Sequence, residues 1–330
     1  MKKLINNPKN VVHEMLLGLS YSNSEIKYIQ EYEVIARKNK KEKVGLVSGG
    51  GSGHEPAHAG YVGEGMLDAA VAGNVFASPS PDRIICGIEE ADSGKGVLLI
   101  VKNYSGDIMN FELAMDLAND EGKNVEMVIV KDDVATQDDE DYKNTGRRGI
   151  AGTVFVHKVA GAEAERGSNI KEVKRVAQKA IDNVRTMGLR LTGCTIPEVG
   201  DTASVLSKNE IEIGMGIHGE PGVEKIKIQE AKKLVRILID KIISDIDYEN
   251  RKVAMMVNGM GGTPLMEMYI VCKEAKEYLD ELEIRVEKIY VGNFMTSIEM
   301  SGCSISLLRL DDELENLLYQ PCKALAFKEV

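Results

Sequence analysis

One recurring unit constrains the fold more than anything else in the chain: a short β-branched run, then glycine and polar residues, then an amphipathic stretch. Strands buried on both faces read as continuous apolar runs, and parallel neighbours need a crossover, usually a helix. Val44 to Val47, Val97 to Val101, Val125 to Val130, Ile211 to Ile217, Val253 to Val257 and Val286 to Val291 fit the strand half, with Ile305 to Leu310 as a seventh. Helical periodicity fits Asn110 to Asn119, Thr153 to Glu165, Lys171 to Met187, Gln229 to Ile243 and Thr263 to Leu279. The pattern predicts an α/β chain with mainly parallel or mixed sheets and glycine-rich loops at strand ends. At roughly 150 residues per domain, 330 residues make two domains. Gly188 follows the long charged helix, and a strand pattern restarts there, so the expected division is 1–187 and 188–330.

Charge narrows the partners. Lys and Arg number 41 against 52 Asp and Glu, a formal charge of -11, which disfavours a broad grip on nucleic acid or an anionic membrane. Trp is absent and aromatics are 5%, too few for base- or sugar-stacking platforms. The five cysteines, Cys86, Cys194, Cys272, Cys303 and Cys322, show no zinc spacing, so no metal site is expected and they read as free thiols in a reducing cytoplasm. MKKLINNPKN meets Pro8 before an apolar signal core forms, and no apolar window reaches about 18 residues, so neither secretion nor a membrane span is expected.

Three strand ends carry the candidate chemistry. Val44 to Val47 runs into Ser48, Gly49, Gly50, Gly51, Ser52, Gly53 and His54, a loop whose backbone can turn sharply and approach a ligand. A Walker A loop would need G-K-[ST] where the chain has Gly53-His54-Glu55, and a G-x-G-x-x-G starting at Gly49 meets His54 at its last position. A nicotinamide- or nucleotide-dependent enzyme is therefore poorly supported, and a ligand-free tight turn remains the plain alternative. His54 can serve as a general base near neutral pH or simply line the turn. His13, His58 and His157 read as satisfied or surface histidines.

The second strand end holds Lys102, Asn103, Tyr104 and Asp107. Asp107 suits a helix N-cap, which does not exclude a catalytic role, and Lys102 reads by default as solvated, otherwise as holding a ligand oxygen. The third, IEIGMGIHGEPG, fixes His218 between a buried strand and a glycine-proline turn, as a nucleophilic or acid/base imidazole requires. His54 and His218 lie in different halves, so a shared site would sit at their interface. In TGRRG, Arg147 and Arg148 either attract a phosphate-bearing partner or balance the acidic stretch Asp132 to Asp141, a solvated loop.

GGGSGHEP, KNYSGD, TGRRG, GIHGEPG and VNGMGGTP occur in this order over almost the whole chain. Together they closely resemble the dihydroxyacetone-binding subunit of dihydroxyacetone kinase. The resemblance implies a two-domain α/β protein, usually a homodimer, in which His218 adds through Nε2 to the substrate's ketone carbon and holds it as a hemiaminal. It further implies that His54 and Asp107 hydrogen-bond the substrate in acid/base roles, and that Gly51, Ser52, Gly53 and Lys102 complete the pocket. Attack by a neutral imidazole means binding that weakens as pH falls below the histidine pKa.

ATP-dependent members carry a fused nucleotide-binding domain beyond this region, whereas this sequence stops at Val330. The implied type is the separate subunit, without a cofactor of its own. Its partner holds ADP and Mg²⁺ and is rephosphorylated by a phosphoprotein of the phosphoenolpyruvate-dependent phosphotransferase system. Family members often carry a longer insertion than Ile243 to Lys252. The alternative within the resemblance is a non-catalytic paralogue that senses dihydroxyacetone and co-activates a transcription factor.

Overall fold

A computed structural model describes residues 2–136, 146–200, 206–249 and 251–330. In chain order the first half carries α1 (Val11–Ser22), β1 (Ile26–Ile29), β2 (Val34–Arg37), β3 (Gly45–Ser52), β4 (Gly63–Glu64), β5 (Ala69–Val75), α2 (Pro81–Ala91), β6 (Val97–Lys102), α3 (Ser105–Asp120), β7 (Val125–Val130), α4 (Thr153–Glu165) and α5 (Ile170–Asn183). The second carries β8 (Val184–Arg190), β9 (Glu210–Ile213), β10 (Glu224–Lys227), α6 (Ala231–Ile243), β11 (Lys252–Gly259), α7 (Leu265–Glu281), β12 (Arg285–Gly292), β13 (Gly302–Leu310), α8 (Asp312–Leu318), β14 (Cys322–Ala324) and β15 (Lys328–Glu329).

Each half builds a six-stranded sheet, in the orders β1-β2-β5-β3-β6-β7 and β10-β9-β8-β13-β11-β12. In the first, β5, β3, β6 and β7 run parallel and the β1 and β2 edge is antiparallel. In the second only β11 and β12 are parallel; β13 pairs antiparallel with both β11 and β8. The expected mainly parallel or mixed sheets are found, the second sheet being the mixed one. An unbroken apolar run reports burial on both faces, and a helix-covered antiparallel strand has that as well.

Strand alternation sorts the core into layers. Val253, Met255 and Val257 of β11 pack with α6 and α7, through Leu238 and Leu279. Ala254 and Met256 face the opposite way, into a core shared with Leu98 and Ile100 of β6 and with α4 and α5. The outer face of the first sheet, including Val47 and Leu99, packs on α2 and α3 through Ile84 and Phe111. Every residue of α4 from Thr153 to Ala164 is buried, because that helix lies between the sheets. A three-stranded sheet, β15-β14-β4, returns the C-terminal segment to the first half.

Two expected boundaries move. The helix expected to reach Met187 ends at Asn183, since β-branched Val184 and Thr186 pair with Leu308 and Ser306 of β13. The 187/188 division therefore cuts β8, and we propose Asn183/Val184 as the dividing point. The apolar run from Ile211 to Ile217 leaves the sheet at Ile213, because Gly214 takes φ +71° and turns the chain. That turn places His218.

Candidate active site at the junction of the two sheets

The end of β3 is built around the path of a lysine. A Cβ on Gly50, whose φ is +147°, would lie 2.5 Å from Lys102 Nζ and 3.3 Å from Asp107 Oδ2. At Gly51 it would meet the Ala77 nitrogen at 2.6 Å, and at Gly53 Phe76 at 2.7 Å and Ile298 at 3.2 Å. Glycine here keeps room for neighbours as well as bending the chain. The Ser52 hydroxyl is engaged with the Gly73 carbonyl at 2.7 Å, which braces β3 on β5.

The second half holds this loop. The Ile298 N–H donates to the Gly53 carbonyl at 2.7 Å, and the Thr296 hydroxyl donates to the Glu55 carbonyl at 2.9 Å. His54, fully buried, places Nδ1 2.8 Å from the Thr296 carbonyl. A carbonyl only accepts, so Nδ1 carries the proton and Nε2 keeps a lone pair. That Nε2 is buried and has no protein partner. Burial, then the His218 and Lys102 charges, push the His54 pKa well down, so the ring is neutral at pH 7.

His218 arrives from the opposite sheet. Its ring centroid lies 4.8 Å from His54, 4.5 Å from Tyr104 in an edge-on contact and 5.5 Å from Phe76. Phe76 in turn stacks on His54 at 5.2 Å. The His218 side chain retains 17% exposure, enough for a small molecule to reach it. Its backbone N–H donates to Glu220 Oε2 at 2.9 Å, and Nδ1 lies 3.2 Å from Glu220 Oε1. Burial pushes the Glu220 carboxyl up, but the hydrogen bond and charge of His218, with Arg148, outweigh it and hold it at about 2. The ionised carboxylate only accepts, so Nδ1 carries hydrogen, and in the neutral ring the lone pair lies on Nε2.

Lys102 and Asp107 are both buried, with Nζ 3.6 Å from Asp107 Oδ2 and 3.5 Å from the Gly49 carbonyl. The solvated reading of Lys102 is thereby overturned: the strand end that carries it is covered by the glycine loop. Asp107 is not the N-cap either. Helix α3 opens at Ser105 after Tyr104, and Asp107 is its third residue, where the helix dipole favours a negative charge. The structure thus gathers His54, Lys102, Asp107 and His218 around Gly50 to Gly53, with Ser52 behind them. Phe76, Tyr104, Glu220 and Thr296 join the site without having been assigned a role from the sequence.

Other expectations change too. His58 and His157 are buried, not on the surface, and only half satisfied: His58 Nδ1 sits 3.1 Å from His157 Nε2 and 3.3 Å from the Ser48 hydroxyl, while His58 Nε2 and His157 Nδ1 have no protein partner. His13, part-exposed, bonds Tyr28 as a surface histidine would. Arg147 forks onto Asp245 at 2.9 and 2.6 Å, and Arg148 pairs with Asp133 at 2.7 Å, so both charges in the TGRRG segment are spent on carboxylates rather than offered to phosphate. Asp132 and Asp133 are buried, not part of a solvated loop, and Asp132 accepts the Ile150 and Gly152 N–H groups at the start of α4. Thr145 and residues 137–141 of the acidic stretch lie outside the described residues. All five cysteines are free. Among the described residues no three His, Cys, Asp or Glu side chains form a metal-binding group, and no helix is long and apolar enough to cross a membrane.

Burial depresses His54 and His58 and brings His157 to about 3. Each takes a proton near pH 6.5 only when the chain unfolds, so stability is full above that pH and is lost as pH falls below it. The slope is about 1.4 kcal/mol per pH unit per histidine. Urea midpoints at pH 7.5 and 5.5 should differ accordingly, with a smaller gap in His157→Gln. Equal midpoints would refute neutral burial.

Fold and site define a two-sheet α/β protein with a polar cluster where its halves meet, built on two imidazoles, His54 from one half and His218 from the other. The chain belongs to the Dak1 domain family, whose model matches residues 17–326. It is 51% identical over 316 residues to the PTS-dependent dihydroxyacetone kinase 1, dihydroxyacetone-binding subunit DhaK of Listeria innocua, covering 95% of each chain. Among solved structures it is similar to the dihydroxyacetone kinase of C. freundii, with a TM-score of 0.92, 36% identity and coverage of 99% of this chain and 60% of that one. It is also similar to the dihydroxyacetone kinase operon co-activator Dha-DhaQ, with a TM-score of 0.91, 35% identity and coverage of 96% and 98%. The family expected from the five motifs is the family found.

Proposed function

We propose that this chain is the dihydroxyacetone-binding subunit of a phosphoenolpyruvate-dependent dihydroxyacetone kinase. The observation that carries the reading is His218, tied at Nδ1 to ionised Glu220, with its ring 4.8 Å from that of His54, whose Nε2 has no protein partner. The relative that matches over 95% of both chains bears the same subunit name.

In this reading the Nε2 lone pair of His218 adds to the ketone carbon. The carbonyl oxygen takes a proton from water and becomes a hydroxyl, Glu220 stabilises the positive charge that develops on the ring, and the Nδ1 proton then leaves to solvent by way of Glu220, so the neutral hemiaminal forms with no net change in protons. His54 Nε2 accepts a hydrogen bond from the substrate. Asp107, with Lys102 beside it, holds a terminal hydroxyl, and the proton released on phosphorylation passes to His54 or Asp107. The phosphoryl group comes from a partner subunit whose bound ADP has first been phosphorylated, and its Mg²⁺ would supply the charge neutralisation that phosphoryl transfer requires. That partner is recharged by a phosphotransferase-system phosphoprotein. The chain acts as a homodimer in the cytoplasm, where its thiols stay reduced.

Covalent capture answers a selectivity problem. A ligand of six heavy atoms is limited to at most about 1.5 kcal/mol per atom without it. It also demands a carbonyl, so glycerol should not compete. The test is dihydroxyacetone-dependent phosphoryl transfer by the purified chain, with and without an ADP-loaded partner subunit and its phosphoprotein donor. Turnover is expected only in the complete mixture, and a large excess of glycerol should leave it unchanged. The likeness to the co-activator favours a second reading, a dihydroxyacetone sensor. Binding without turnover, beside a partner verified on another kinase subunit, would select the sensor; absence of binding would sink both.

A further inference from the structure

Arg148 is not among the residues gathered at the glycine loop, yet its guanidinium lies against the segment that leads to His218. Nε donates to Asp133 Oδ2 at 2.8 Å, and Nη2 lies 2.7 Å from that oxygen and donates to the Gly214 carbonyl at 2.7 Å. Gly214 is where the chain turns out of β9 toward His218. The third arm points at Gly216: a Cβ there would lie 2.2 Å from Glu220 Oε2 and 2.8 Å from Arg148 Nη1. The guanidinium and the carboxylate that orients His218 therefore crowd one glycine. Tyr104 closes the other side, edge-on to His218, with its hydroxyl buried and without a protein partner.

Asp133 anchors this arrangement in the first half of the molecule. It is fully buried, its N–H donates to the Arg148 carbonyl at 3.0 Å, and its Oδ1 accepts the Ala135 N–H at 2.9 Å. The carboxylate cannot swing away, so the fork it holds cannot either. We propose that Arg148 is a positioning residue that fixes the His218 imidazole, in place and in tautomer, by holding the Gly214 carbonyl and setting its guanidinium beside Gly216, which Glu220 also crowds. A lysine would keep the charge, but a single ammonium cannot hold Asp133 and the Gly214 carbonyl in the fixed directions of a guanidinium. The mutual influence of Glu220 and Arg148, each stabilising the other's charged form, fits this arrangement. The consequence for catalysis rests on the function proposed above; the positioning itself does not.

The test uses ¹⁵N-histidine-labelled protein without ligand, reading the two ring nitrogens of His218, assigned by their loss in His218→Ala. Wild type should show Nδ1 protonated and Nε2 bare. Arg148→Lys should mix the tautomers and lower dihydroxyacetone affinity and turnover by about 10²-fold, the size expected of a small misplacement of a reacting group. Combining it with Glu220→Gln should cost no more than the worse single change, because both act through one imidazole. If Arg148→Lys does not fold, Arg148→Met with Asp133→Asn removes both buried charges together and is read the same way. A folded variant of either kind with unchanged His218 nitrogens overturns the proposal. A tautomer lost on substitution, in a wild type that binds no ketone, leaves the positioning standing and rejects the proposed function instead.

Discussion

His218→Ala should leave the chain folded and cut phosphoryl transfer to dihydroxyacetone by roughly 10³-fold or more, the scale lost when a positioned catalytic group is removed. The fold survives because the loop is held elsewhere, by the Gly214 carbonyl on Arg148 and by the Val223 N–H on Ile213. What disappears is a partly exposed ring nitrogen on an imidazole that an ionised acceptor holds from the far side of the ring. His54 cannot replace it, since its side chain is fully enclosed. With 2-¹³C-labelled dihydroxyacetone, wild type should convert the ketone carbon to a tetrahedral one and the alanine variant should not. A tetrahedral adduct that persists in His218→Ala would place the nucleophile on another residue.

Which parts of this were legible in the sequence follows from what each residue is doing. Runs such as Val125 to Val130 and Thr153 to Glu165 coincide with β7 and α4: the first because Val and Ile favour a strand, the second because it is apolar and buried nearly along its length, although its Thr, Val and Gly are weak helix formers. β5 was silent: Ala-Ala-Val-Ala-Gly-Asn-Val has too little β-branched character, and it is a strand because it lies between β2 and β3. β8 was misread for the converse reason, since Arg185, Thr186 and Met187 continue a helical stripe until pairing with β13 overrides it. Strand direction in the second sheet left no trace in composition at all.

The site divides along similar lines. Histidines after glycine turns are conspicuous, so His54 and His218 stood out, as did the possibility that they share an interface. Their partners did not. Phe76 follows an unremarkable strand, Thr296 reaches His54 through its backbone, and Tyr104 and Glu220 lay inside quoted motifs without a role. The one available signal was spacing: Glu220 stands two residues after His218 across a glycine with φ +82°, which folds a carboxylate back onto an imidazole. Arg148 was open to two readings, and its pairing with Asp133 realises the balance of the acidic stretch; that the same guanidinium also holds Gly214 is a fact of three-dimensional packing.

Gly50→Ala should be as damaging as many changes to a reacting group, although Gly50 contributes no functional atom. The added methyl would sit 2.5 Å from Lys102 Nζ and 3.3 Å from Asp107 Oδ2, and the φ of +147° is one that alanine rarely adopts. A long lysine can often yield, but this one is wholly buried and runs between the Gly49 carbonyl and Asp107. Relief therefore means either moving the ammonium off Asp107 or bending β3, whose next residues carry His54. Backbone strain of this kind costs on the order of 1–3 kcal/mol, and a displacement of about 1 Å at the reacting groups costs about 10²-fold in turnover. Gly18→Ala is the matched control, because nothing lies within 4 Å of its new methyl and it sits inside α1. That variant should keep full activity and gain about 0.5–1 kcal/mol from the lost flexibility of glycine in a helix. Thermal melting and turnover measured on both variants separate the cost of the methyl from the cost of its location. Near-native turnover in Gly50→Ala would mean that Lys102 is free to move and that the glycine is not set by its path.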